Sequence, residues 1–137
     1  MNTKKIKICG INDINILQNI INLKIDYVGF IFYEKSPRNV DEKFLKTLNE
    51  INFKNIRPVC VYVNPDEDFV YKTSSYFTDP ILQFHGNEDF SFCASFWLAF
   101  WNAIRVKTED DVESIEDSSS ASGRLLESHT YGAYGGT

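Results

Sequence analysis

The sequence predicts an α/β fold: parallel strands curling into part of a (β/α)₈ barrel, about five and a half βα units with the C-terminal units missing. Three observations support this. Short β-branched and aromatic runs alternate with longer amphipathic stretches. The runs begin near residues 5, 26, 57, 80, 101 and 124, so the repeat is 21 to 31 residues. Polar residues also gather on one face of several runs, towards their C-terminal ends.

The six strand candidates are KIKICGI from Lys5, DYVGFIFY from Asp26, RPVCVYV from Arg57, PILQFHG from Pro80, WNAIRVK from Trp101 and RLLES from Arg124. Helix candidates lie between them at Ile14–Leu23, Asp41–Ile51, Glu67–Tyr76, Asp89–Ala99 and Glu109–Glu116. In the first helix Ile14, Leu17, Ile20 and Ile21 recur at helical spacing, and in the second Phe44, Leu45 and Leu48 do so. Alternating strands and helices imply parallel strands joined by right-handed crossovers, which either an open doubly wound sheet or a barrel satisfies.

Side-chain parity separates the two. Successive residues of a strand point to opposite faces. Lys7 and Cys9 oppose Ile6 and Ile8; Gln83 and His85 oppose Leu82 and Phe84. Arg105 and Lys107 oppose Ile104 and Val106, and Glu127 opposes Leu126. A parallel strand buried on both sides should be apolar on both. Turning the polar faces into one shared cavity restores consistency, and a barrel with its site at the C-terminal mouth does this. An open sheet would divide the same residues between its two sides.

Composition narrows the function. With 43% hydrophobic and 15% aromatic residues among 137, the chain can bury a core as a single domain spanning 1–137. A formal net charge of −5 and scattered basic residues give no case for a nucleic-acid partner or an anionic membrane surface. The opening apolar segment is broken by Lys7, and no run approaches the roughly 20 apolar residues of a membrane span. A cytoplasmic location is the expectation. Cys9, Cys60 and Cys93 are widely spaced without a C-x-x-C pair, which suits free thiols and argues against a zinc site.

Read in order, the motifs are Lys7-Ile8-Cys9-Gly10, Ser36-Pro37-Arg38, Gln83-Phe84-His85-Gly86 with Asn87-Glu88, Ala103-Ile104-Arg105-Val106 and Leu125-Leu126-Glu127-Ser128; Tyr134-Gly135-Gly136-Thr137 ends the chain. Together this set resembles the phosphoribosylanthranilate isomerases of tryptophan biosynthesis, from the first strand to the last residue. The resemblance implies a TIM barrel and an Amadori rearrangement of N-(5-phosphoribosyl)anthranilate, a small phosphorylated substrate, with no cofactor and no metal. It makes Cys9 the general base and puts Glu127 where the family carries an aspartate as general acid. Arg38 would contact the anthranilate carboxylate, while Gln83, His85 and Arg105 would orient the substrate. For His85 positioning is expected, not proton transfer. Gly135-Gly136-Thr137 resembles the start of a loop over the active site.

Each role has a plainer rival: a structural buried cysteine, a solvated strand-end carboxylate, an ordinary loop arginine. Cys9 lies two residues from Lys7 on one face, a rise of roughly 7 Å, where a lysine would favour thiolate. Glutamate for aspartate shifts the acid by about 1 Å, enough to cost rate.

Six strands do not close a barrel of eight. Such barrels commonly place their phosphate site after strands seven and eight. The 137 residues are therefore expected to be inactive alone and to have open edges at the first and sixth strands. Instability, or self-association through those edges, would follow. A second reading is a non-catalytic half-barrel remnant or oligomerising module.

Overall fold

The computed structural model describes residues 4–110 and 122–128. Six strands, β1 (Lys7–Cys9), β2 (Tyr27–Phe32), β3 (Arg57–Tyr62), β4 (Ile81–Phe84), β5 (Phe100–Val106) and β6 (Gly123–Ser128), lie in chain order in one sheet. Every neighbouring pair is parallel. A doubly wound sheet reverses its strand order at a switch point, whereas this unbroken order is that of a barrel wall. β1 and β6 stand at its two ends.

The crossovers carry α1 (Ile14–Ile21), α2 (Glu42–Thr47), α3 (Glu67–Ser74) and α4 (Phe90–Ala94), with a 3₁₀ turn at Leu48–Glu50 continuing α2. An aspartate opens each of these four helices. Asp13, Asp41, Asp66 and Asp89 accept from the amides of Ile16, Phe44, Phe69 and Phe92 at 3.0, 2.8, 2.8 and 2.7 Å. An aspartate there satisfies an otherwise orphaned amide and is worth about 1 kcal/mol. The caps also fix where each strand-to-helix loop ends, and those loops surround the strand exits.

Helix ends depart most from the sequence reading. The candidate at 89–99 stops at Ala94, because Ser, Cys and aromatic residues are poor helix formers and the Ser95 hydroxyl takes the Phe92 carbonyl at 2.7 Å. Trp97 then adopts a left-handed φ of 57° with its side chain exposed, and β5 begins one residue before the expected Trp101. Beyond Asp110 the candidate at 109–116 lies outside the described residues. Among those residues no helix is long and apolar enough to cross a membrane.

The two faces of the sheet differ as parity requires. Outward, Phe30, Tyr62, Leu82, Phe84 and Phe100 meet Leu17, Leu48, Val70 and Phe96 in the main core. Phe32, Tyr62 and Phe84 are register partners whose rings stack at 5.6 and 5.8 Å. The next partners along that row are Asn102 and Arg124, and the aromatic layer ends there. The Oδ1 of Asn102 and an Nη of Arg124 are buried without a hydrogen bond. Inward, Val59, Val61 and Ile81 pack with Cys9, Tyr27, Ile31 and Trp101. Tyr27 meets Trp101 edge-on at 5.0 Å, filling the interior below the polar residues.

Candidate active site

β1 places Lys7 and Cys9 on the inner wall, over Gly29 of β2. A side chain at Gly29 would stand 2.8 Å from the Cys9 sulfur and 3.1 Å from Lys7 Cε, so its absence makes room for both. The adjacency of lysine and thiol read from the sequence is therefore present. Lys7 also reaches across the interior. Its Nζ donates to Gln83 Oε1 and lies 5.7 Å from the Trp101 ring centroid. Burial lowers the Lys7 ammonium below its ordinary range, and the neighbouring Cys9 sulfur opposes that shift.

Gln83, on β4, is 2% exposed. Its Nε2 stands 2.8 Å from His85 Nδ1, one step beyond the strand end. The His85 backbone is held on both sides: its amide donates to the Tyr62 carbonyl at 2.8 Å, and its carbonyl accepts from Arg105. Arg105, from β5, also reaches the Gly86 carbonyl at 3.4 Å. Gln83, His85 and Arg105 are thus brought together at neighbouring strand exits.

Glu88 completes this rim. Its two carboxylate oxygens accept the amides of Gly86 and Asn64, each at 2.8 Å. Asn64 Oδ1 accepts the Asn87 amide at 2.7 Å, clipping the loop after β3 to the loop after β4. Burial raises the Glu88 carboxyl above its ordinary value, against the pull of those amides and of Arg105.

Arg38 arrives from the loop after β2, where the Tyr33 amide donates to Asn39 Oδ1 at 2.7 Å. Its Nη1 donates to the Cys9 carbonyl at 3.3 Å, and its guanidinium lies over Gly10. Gly10 has φ 85°, and a Cβ there would sit 2.5 Å from Arg38 Nη1. Only glycine suits that backbone and leaves that space.

Glu127 is the register partner of Arg105 in β6. Its side chain, like Gly135, Gly136 and Thr137, lies outside the described residues. Among those residues no group of three His, Cys, Asp or Glu side chains could hold a metal ion.

Two features were not anticipated. The sequence reading tied Lys7 to Cys9 alone, although the alternating Lys7, Gln83 and His85 on inward parity could have suggested a chain between them. The Glu88 clip was also missed. Its signal was a carboxylate two residues beyond Gly86, within reach of backbone amides at a turn.

Residues 6–135 match the family model of N-(5'-phosphoribosyl)anthranilate (PRA) isomerase. The chain belongs to the PRA isomerase family. The N-(5'-phosphoribosyl)anthranilate isomerase of Nitrosomonas europaea is 34% identical over 134 residues, covering 97% of this chain and 64% of that one. That of Legionella pneumophila (strain Lens) is 38% identical over 136 residues, covering 97% and 65%. The chain thus spans less than two thirds of the length of these curated relatives. Among solved structures, the PRA isomerase of Thermotoga maritima superimposes with a TM-score of 0.74 at 24% identity, covering 96% of this chain and 64% of that one. A PRA isomerase in complex with reduced 1-(o-carboxyphenylamino)-1-deoxyribulose 5-phosphate gives 0.76 at 25% identity, covering 93% and 66%. These likenesses agree with the partial TIM barrel.

Proposed function

We propose that this chain supplies the first six strands of a PRA isomerase site. There N-(5'-phosphoribosyl)anthranilate rearranges to 1-(2-carboxyphenylamino)-1-deoxyribulose 5-phosphate, a cytoplasmic step of tryptophan biosynthesis. One observation carries the reading: in a member of this family, Cys9, Arg38, Gln83, His85 and Arg105 converge on the strand exits of one barrel wall.

In this mechanism Glu127 gives its proton to the ribose ring oxygen, the C1–O bond breaks, and C1 and nitrogen form an iminium. The Cys9 thiolate then takes the proton from C2, and the resulting enolamine becomes the ketone. Acid and base come from opposite ends of the described sheet, which suits groups acting on one substrate across a barrel mouth. Arg38 fits the anthranilate carboxylate, since a planar guanidinium pairs with it through two parallel hydrogen bonds. Gln83, His85 and Arg105 orient the sugar. The solved relative with a reduced ribulose phosphate supports a phosphorylated substrate.

Barrels of this kind anchor a phosphate after strands seven and eight, and remote binding energy of that sort helps hold the reacting centre. The activity is therefore assigned to an eight-stranded barrel of which these residues supply six strands. Complementation of a tryptophan-requiring strain lacking the isomerase tests this. A chimera joining this chain to the remaining units of a full-length relative should restore growth, and the same chimera with Cys9→Ser should not. No growth with the first, or growth with the second, removes the proposal.

A second reading has its own observation. β1 and β6 end the sheet, and Ile6 beside β1 is 53% exposed, so a second copy could cover these edges. Sedimentation would show a concentration-dependent dimer if so, and a monomer at all concentrations if not.

A further inference from the structure

We propose that Lys7 is a positioning residue which, through Gln83, fixes His85 as the neutral imidazole carrying its proton on Nε2. The proposal deepens the isomerase reading, on which it rests for the substrate that His85 meets.

Hydrogen-bond polarity leads from one residue to the next. The Lys7 ammonium can only donate. The Gln83 atom facing it must then be the carbonyl oxygen, which settles the orientation of an amide whose two ends otherwise look alike. Turning the amide over would set its NH₂ against the ammonium, at a residue buried from water on every side. A buried donor left facing a donor is disfavoured by about tenfold or more. With the oxygen committed to Lys7, the NH₂ of Gln83 points at His85 Nδ1, 2.8 Å away. Nδ1 must therefore accept, and the ring proton belongs on Nε2.

The ring is held in this place by the Gln83 contact and by the fixed course of its backbone. Its backbone is pinned by the Tyr62 carbonyl on one side and Arg105 on the other. With Nδ1 accepting from Gln83, His85 is a donor at Nε2 and cannot take a proton there. Lys7 then serves two neighbours: its charge lies beside Cys9, and its polarity sets the tautomer of His85 through Gln83.

The test is the imidazole ¹⁵N spectrum of the 137-residue chain, in solution or sedimented, at a pH where the ring is neutral. The chain has two histidines, so a His129→Asn variant assigns His85. His85 should show a protonated Nε2, an unprotonated Nδ1 and no measurable Nδ1–H form. In Lys7→Met the Nδ1–H form should rise at least about tenfold, and Lys7→Arg, which keeps a donor, should suppress it again. Gln83→Glu, whose carboxylate accepts from both neighbours, should move the proton to Nδ1. That variant decides the matter should Lys7→Met fail to fold. A wild-type Nδ1–H form, a Lys7→Met spectrum identical to wild type, or a Gln83→Glu ring still protonated on Nε2 would overturn the proposal. The spectra need no turnover, so failure here and failure of the isomerase reading are separately visible.

Discussion

Glu88 accepts the backbone amide of Asn64 at 2.8 Å and so fastens the loop after β3 to the loop after β4, where its other oxygen takes the Gly86 amide. Removing this carboxylate leaves the half-buried Gly86 amide and the exposed Asn64 amide to find water. Glu88→Ala should cost about 2 kcal/mol in urea unfolding, and Glu88→Gln, which keeps one good acceptor, should cost less. The pH dependence has a definite sign. The folded carboxyl titrates above its ordinary value of 4.5, so just above that value the folded chain holds more protons than the unfolded one. Stability should fall as pH rises through that window. Glu88→Gln should abolish this slope.

The three thiols should differ in reactivity. Cys60 is fully buried and its thiol is pushed far up by burial, while Cys93 is pushed up to about 12, by burial first and then by the charges of Glu88 and Asp89. Cys9 is half-buried on the inner wall. At pH 8 an aromatic disulfide reagent should modify one thiol in the folded chain and three after unfolding. Cys9→Ser should reduce the folded count to none. A second fast-reacting thiol would contradict this burial.

Tyr62 and Thr73 form a buried pair whose two halves are not equivalent. The Thr73 hydroxyl donates to the Phe69 carbonyl at 2.7 Å, so the Tyr62 hydroxyl donates to Thr73 Oγ1, also at 2.7 Å. Tyr62→Phe leaves Thr73 still bonded to Phe69 and should cost less than about 1 kcal/mol. Thr73→Val leaves the Tyr62 hydroxyl buried with only the weak acceptor Cys60, and should cost about 2 kcal/mol. Equal losses in thermal or urea unfolding would mean that the bond polarity is reversed.

The barrel wall was legible because parity is strict. Lys7, Cys9, Gln83 and Arg105 could be assigned to one face from their spacing alone, and the structure puts them there. Helix lengths were less legible: at Ser95 and Trp97 a local competition between hydroxyl, carbonyl and a left-handed residue ends α4 early. Contacts between loops were not legible at all. Nothing in the order of residues says that Glu88 will choose Asn64, 24 positions earlier, or that Arg38 will come to rest over Gly10. Such pairings depend on which strand exits become neighbours, and that is known only once the sheet is assembled.

The carboxylate on β6 is where the resemblance and this chain differ, so it offers the most direct kinetic test. In the chimera, Cys9→Ser should lower kcat by about 10²–10⁴, the range for loss of a general base, with KM little changed. Glu127→Gln should lose a comparable factor, because an amide cannot pass a proton to the ring oxygen. Glu127→Asp gives the length that the resemblance implies for this position and withdraws the acid by about 1 Å. A shift of that size alters rate strongly when the proton must arrive in line. Glu127→Asp should therefore raise kcat in the anthranilate-fluorescence assay. A fall in kcat on Glu127→Asp would overturn this reading of the position.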